Sequence, residues 1–280
     1  MVIPIGINQP SIRSFTIQLK ANQVGMEISL LWKQPFHTKH WAVWALLGVF
    51  IFFLNRYTGG DQALSNVFFD PQASVFPLKQ NRVLSLLLHD GLRWVAALIW
   101  LGFLSLLSLQ SVRQSQGREI VFILITSLLA SLVVSVLKAQ SAHSCPWDLY
   151  QYGGTADYFR LFQHTPVVAN PGPGKCFPSG HASTAFMWIV LLYSSMPWLK
   201  QRRSRLTIGV MVLGGLAGGV QIAKGAHFVS HVLATAWLCW GVTLLAVAVR
   251  NTLSRHWFAG YTPNFPPQKS TLGNKTDRRG

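Results

Sequence analysis

Three short stretches of the 280-residue chain carry side chains suited to acid–base and anion chemistry: KAQSAHSCPWDL (Lys138–Leu149), KCFPSGHAS (Lys175–Ser183) and QIAKGAHFVSH (Gln221–His231). In the second, Pro178, Ser179, Gly180 and His181 stand just ahead of a long apolar run, where a helix is expected to begin. A helix N-terminus leaves backbone N–H groups unpaired and carries partial positive charge, so it stabilises anions, phosphate above all. Ser179 can cap that helix or donate to a phosphate oxygen. Gly180 lets a ligand come close to the backbone. His181, with an ordinary pKa of about 6.5, can protonate a departing alkoxide. Lys175 adds positive charge beside them. Taken alone, the stretch reads equally as plain capping by Ser179 with a histidine at a membrane interface.

In the third stretch, His227 and His231 are four residues apart and share one face of a helix. Three readings are open. His227 can be a nucleophile that takes a phosphoryl group, the pair can be metal ligands, or both can be interfacial histidines satisfied by water. The metal reading needs a third ligand, from His181 or Asp148, and no acids cluster with the pair. The expectation is therefore no metal and no cofactor.

These residues must be positioned by membrane helices. Half of the residues are hydrophobic and 11% are charged, against about a quarter charged in soluble proteins. The formal charge of +16 fits basic loops facing anionic lipid better than nucleic acid. Apolar runs near 41–57, 92–110, 120–137, 182–199, 206–223 and 228–249 predict six spans. The expected class is all-α, a polytopic bundle of six transmembrane helices. Residues 1–40 form an N-terminal cytoplasmic segment, 41–250 the membrane domain, and 251–280 a basic, irregular tail. Lys33, Lys39, Arg113, Arg118, the KQRRSR loop at 200–205, Arg250 and Arg255 then share one side, which should be cytoplasmic. All three chemical stretches fall on the opposite face.

Together the three stretches resemble the type 2 phosphatidic-acid phosphatase superfamily of membrane lipid phosphatases. Its pattern is Lys, six residues, Arg-Pro; then Pro-Ser-Gly-His; then Ser-Arg, five residues, His, three residues, Asp. Here Lys138 is followed by six residues and Cys145-Pro146, PSGH stands complete at 178–181, and His227 takes the place of the third motif's histidine. The resemblance covers roughly residues 85–250. It departs at three places: Cys145 and Gln221 stand where the pattern has arginines, and His231 where it has the aspartate. A bacterial subgroup with CPWDL, CFPSGHAS and GAHF-SH segments looks similar.

The resemblance implies that His227 attacks phosphorus to form a phosphohistidine, that His181 protonates the leaving alcohol, and that water hydrolyses the intermediate without a metal. It implies a phosphorylated lipid as substrate, whether phosphatidic acid, phosphatidylglycerol phosphate, polyprenyl diphosphate or a lipid A. It further implies a bacterial inner membrane location with the site facing the periplasm. A lipid phosphotransferase would use the same site, and a non-catalytic lipid-binding or scaffold protein is the competing class. Lys138 is the one retained phosphate-binding cation. Lys175 and Lys224 are expected to replace the missing arginines, alongside Ser179 and Gly180. His231 or Asp148 is expected to orient His227 where the usual aspartate is missing, with Asp157 or a backbone carbonyl as the alternatives. Cys145 and Cys176 both lie on the outer side, each beside a motif, and an oxidising compartment permits a bridge between them; two free thiols are the alternative. Cys239 reads as a small buried apolar residue.

Overall fold

The computed structural model describes residues 36–163 and 169–259. Helix α1 (Phe36–Tyr57) leads to the short α2 (Gly60–Asn66). Helix α3 (Arg82–Ser85) passes through a π-helical turn at Leu86–Gly91 into α4 (Leu92–Leu106). Helix α5 (Gln110–Gln140) is followed by an irregular connection with two 3-10 turns, at Pro146–Asp148 and Tyr150–Tyr152. Helix α6 (Gly180–Phe186) continues as a 3-10 segment, Met187–Tyr193. Then come α7 (Pro197–Gln201), α8 (Arg203–Ala223) and α9 (Val229–Ala259). Among the described residues the fold is all-helical, with two isolated bridges and no strand.

Four helices are long and apolar enough to cross a membrane: Thr38–Tyr57, Gln110–Gln140, Arg203–Ala223 and Val229–Ser254. The other two apolar runs form shorter helices, Leu92–Leu106 and Gly180–Tyr193. Both fall short of the roughly 20 residues needed for the hydrocarbon core. Other boundaries also differ from those expected. Arg113 and Arg118 lie within the first turns of α5, because nothing in QSVRQSQGRE stops a helix. The last helix runs to Ala259, so the predicted tail at 251–280 starts as helix. Residues 1–35 and 260–280, with most of the predicted terminal segments, lie outside the described residues.

Helix α5 shows why these runs suit lipid. Its buried residues, Ile120, Ile123, Leu124, Ser127, Ala130 and Val134, recur every three or four positions and face the bundle. The opposite face exposes Val121, Ile125, Leu128, Leu132 and Val136, where a helix in water would be polar. Between lipid-bathed helices apolar burial gives little net drive, so close packing of small residues and polar contacts holds the bundle. Helix α9 accordingly packs on α1, α5 and α6, and α6 packs on α8. A Cβ on Gly218 would overlap Val232, and one on Gly214 would overlap the Phe186 ring. Trp44 and Trp237 stack at 4.5 Å, and each indole N–H donates to the other's backbone carbonyl, at 3.0 and 2.9 Å.

The antiparallel runs define two ends. At one, Arg250 near the end of α9 pairs with Glu119 of α5 at 2.8 Å, and Glu119 also accepts from Ser195 N and Oγ at 3.0 and 2.8 Å. The KQRRSR loop lies at this basic end. The other end gathers the last turn of α5, the start of α6, the end of α8 and the start of α9.

Candidate active site

At that second end, Lys138 in the last turn of α5 lays its stem across Gly180. A Cβ on Gly180 would stand 3.3 Å from Lys138 Cδ and 3.7 Å from Cε, so the glycine makes room for the lysine. Lys138 Nζ donates to the Lys175 carbonyl at 2.7 Å, and Lys175 N donates to Ser141 O at 2.7 Å. Lys175 has φ +56 and an exposed side chain. Its backbone carbonyl, not its ammonium, reaches the cluster. Lys224 is buried and its Nζ donates to Ser85 Oγ at 2.6 Å, which ties α8 to α3. Of the three predicted phosphate-binding lysines, the structure thus brings Lys138 to the histidines and gives the other two different positions.

Ser179 is fully buried. Its N–H donates to His231 O at 3.2 Å, and its carbonyl accepts from Thr235 Oγ1 at 3.0 Å. Its hydroxyl makes no hydrogen bond among the described residues, so it caps nothing. A buried hydroxyl without a partner costs about 1–3 kcal/mol, and a phosphate oxygen would satisfy it. One residue further on, the His181 ring stands 5.8 Å from the His227 ring, centroid to centroid.

His227 lies in the tight connection between α8 and α9. Gly225 has φ +70, and a Cβ there would overlap the Phe76 ring, so only glycine fits this turn. Ala226 N and His227 N both donate to the Gln221 carbonyl, at 2.8 and 3.2 Å, and Trp147 N donates to Gly225 O at 3.0 Å. Gln221, which stands at the position of a missing arginine, holds the turn by its backbone. The His227 ring is 1% exposed. Burial above all holds its pKa well below 6.5, with the charges of His231, Lys138 and His181 acting in the same direction and a hydrogen bond to the Cys176 backbone opposing. A neutral ring with a free lone pair is the form a nucleophile needs.

Two predicted orienting residues prove to be placed differently. His231 does not hydrogen-bond His227; the rings meet edge to face at 5.9 Å. His231 Nδ1 lies 2.9 Å from the Cys176 carbonyl, which can only accept, so the proton sits on Nδ1 and Nε2 keeps its lone pair. Asp148 faces Lys79, the Cys145 backbone and Trp147, and burial raises its pKa. Asp157 accepts from Asn170 N at 2.9 Å. Instead, His227 Nδ1 lies 3.5 Å from Cys176 Sγ. Cys145 and Cys176 are disulfide-bonded, with Cα atoms 5.2 Å apart. The Cys176 sulfur therefore has no proton to donate, and its 2.9 Å approach to Ala226 O is a packing contact. Cys176, His227 and His231 form the metal-ligand grouping present among the described residues, yet its sulfur is spent in the bridge.

One group that anchors the His227 turn has no local signature in the sequence. Asp61 of α2, 1% exposed, accepts from Ser230 N at 2.9 Å, Ser230 Oγ at 2.6 Å and Asn55 Nδ2 at 2.8 Å. Asn55 Oδ1 in turn accepts from Leu161 N at 2.6 Å. A carboxylate at the N-terminus of α9 complements the helix dipole and fixes the turn that carries His227 and His231. The one sequence signal was that Asp61 is among just eight acids in the chain and directly follows an apolar span.

One end of this bundle of apolar helices thus carries two histidines, a lysine and a serine hydroxyl without a partner among the described residues. Residues 119–255, which carry Lys138, Ser179, His181, His227 and His231, match the family model described as the PAP2 superfamily. PAP2 members are phosphatases, and the match supports phosphatase activity in general. No curated protein and no solved structure gives a significant match.

Proposed function

We propose that this protein hydrolyses the phosphate of a membrane lipid through a phosphohistidine on His227. The phosphate sits between Lys138, the Ser179 hydroxyl and the first N–H groups of α6, which offset its charge as the transition state loosens. The unprotonated ring nitrogen of His227 attacks phosphorus. His181, on the adjoining helix, gives its proton to the departing alkoxide and then takes one from the water that releases phosphate. Positioning and charge neutralisation supply the catalysis, with no metal required. His181 and Lys138 are partly exposed while His227 and Ser179 are buried, so the headgroup enters past the first pair. On this reading the histidine end faces outward from a bacterial inner membrane and the basic end lies in the cytoplasm, the side on which Lys- and Arg-rich loops are retained.

The observation that carries this reading is the approach of His181 to His227 at 5.8 Å beside Lys138. Purified protein in detergent should release inorganic phosphate from short-chain lipid phosphates without added metal and should lose release on His227→Ala. Acid-labile, base-stable phosphate should be trapped on His227 when turnover is quenched. Release that survives His227→Ala would refute the mechanism. Phosphate appearing on an added lipid alcohol instead of in solution would make the enzyme a phosphotransferase.

A further inference from the structure

We propose that reduction of the Cys145–Cys176 bridge converts the pocket of the nucleophile into a zinc site formed by Cys176, His227 and His231, and that zinc bound there silences His227. One ligand atom from each of these three residues lies within 4.8 Å of the others. All three are buried, at 0%, 1% and 2% exposed. Donor atoms of a tetrahedral zinc site stand roughly 3.3–3.8 Å apart given the usual Zn–S and Zn–N lengths, so closing the set requires small side-chain movements. The hydrogen bond from His231 Nδ1 to the Cys176 carbonyl, 2.9 Å, already fixes the tautomer that presents Nε2 as a ligand.

The bridge is what withholds the third ligand. While it stands, two imidazoles remain. A dithiol reductant donates two electrons and two protons, breaks the S–S bond, leaves thiols on Cys145 and Cys176, and becomes a disulfide itself. Zinc then displaces the Cys176 thiol proton and bonds the thiolate, His231 Nε2 and His227 Nδ1, the nitrogen that already lies 3.5 Å from Cys176 Sγ. A neutral imidazole with zinc on Nδ1 carries its proton on Nε2. Neither nitrogen then has a lone pair for phosphorus, and the enzyme is off until zinc is removed or the bridge reforms.

The full chain in detergent is reduced with a dithiol, desalted without oxygen, exposed to zinc chloride, desalted again and measured for zinc by mass spectrometry. Reduced wild type, and Cys145→Ser without reductant, should each retain about one zinc per chain. Oxidised wild type and reduced Cys176→Ser should retain none, and reduced His231→Ala far less than wild type. Zinc content is read independently of catalysis, so a missing phosphatase activity would count against the proposed function and not against the site. In protein that is active, an arm that rests on that function, zinc loading of the reduced form should cut phosphate release at least about tenfold, with recovery on chelation. Reduced wild type that holds no more zinc than oxidised protein, or Cys176→Ser that holds as much, would overturn the site. Zinc bound with release undiminished would overturn the silencing. Size-exclusion profiles identify any variant that fails to fold, and the reduced wild type decides without it.

Discussion

The imidazole of His231 is tied to the backbone carbonyl of Cys176, 2.9 Å from Nδ1, and not to the ring of His227 one helical turn before it. The carbonyl it holds belongs to the residue whose sulfur lies against His227. Under the proposed mechanism His231 would act on His227 through Cys176, as a positioning residue. His231→Ala should lower kcat about 10- to 100-fold with KM within about threefold, because ground-state phosphate contacts are untouched. His231→Asn, whose amide N–H can reach the same carbonyl, should recover much of the loss. Steady-state kinetics on the two variants decide; equal loss in both would show that the bond does not matter.

The lysines should separate sharply. Lys138→Ala removes the cation beside both histidines and should lower kcat/KM by about 100-fold or more, as loss of a charged contact to a transferring phosphoryl group does. Lys175→Ala should stay within about threefold of wild type, since its carbonyl serves Lys138 and survives the change. Lys224→Ala should act through stability, because its Nζ bonds Ser85 Oγ at 2.6 Å. Thermal unfolding in detergent should fall for Lys224→Ala and not for Lys175→Ala.

His227 is held neutral well below pH 6.5 by burial and by the neighbouring positive charges. The acid limb of kcat/KM that reports its protonation should accordingly lie well below pH 6.5, and an acid limb centred near 6.5 would contradict a buried nucleophile. The stability effect has the same sign. Below about pH 6.5 the unfolded chain binds a proton that folded His227 refuses, so this group removes up to about 1.4 kcal/mol of stability per pH unit until its folded pKa is reached. Above about pH 7 it has no effect. His227→Gln should flatten that part of the stability profile.

Asp61 anchors the start of α9. Asp61→Ala leaves the Ser230 N–H and the Asn55 amide buried without their acceptor, at an expected cost of about 2–4 kcal/mol. Asp61→Asn keeps the shape and one acceptor oxygen and should cost less. Unfolding midpoints should rank wild type above Asp61→Asn above Asp61→Ala, and activity should fall with them as the His227 turn loosens.

The amino-acid sequence alone determined the chemistry and the frame. Apolar runs long enough for lipid, punctuated by basic loops, specify a helical membrane protein. PSGH before one run and GAHFVSH before another specify two histidines and a helix start at one end of it. These are local properties, set by neighbours within a few turns. What holds His227 was not legible, because each partner is distant in the chain: Cys176 lies 51 residues away from it, Lys175 37 from Lys138, and Asp61 169 from Ser230. The absent aspartate invited a substitute at the same helical spacing or in the nearest acidic loop, with a backbone carbonyl as the alternative, and the fold sets a backbone carbonyl and a disulfide sulfur beside the histidine pair. Lys175 and Lys224 have the same charge and similar distances in sequence from a histidine. One points its ammonium to solvent and the other buries it against Ser85. That difference follows from how α3, α5 and α8 pack, which only the tertiary structure decides.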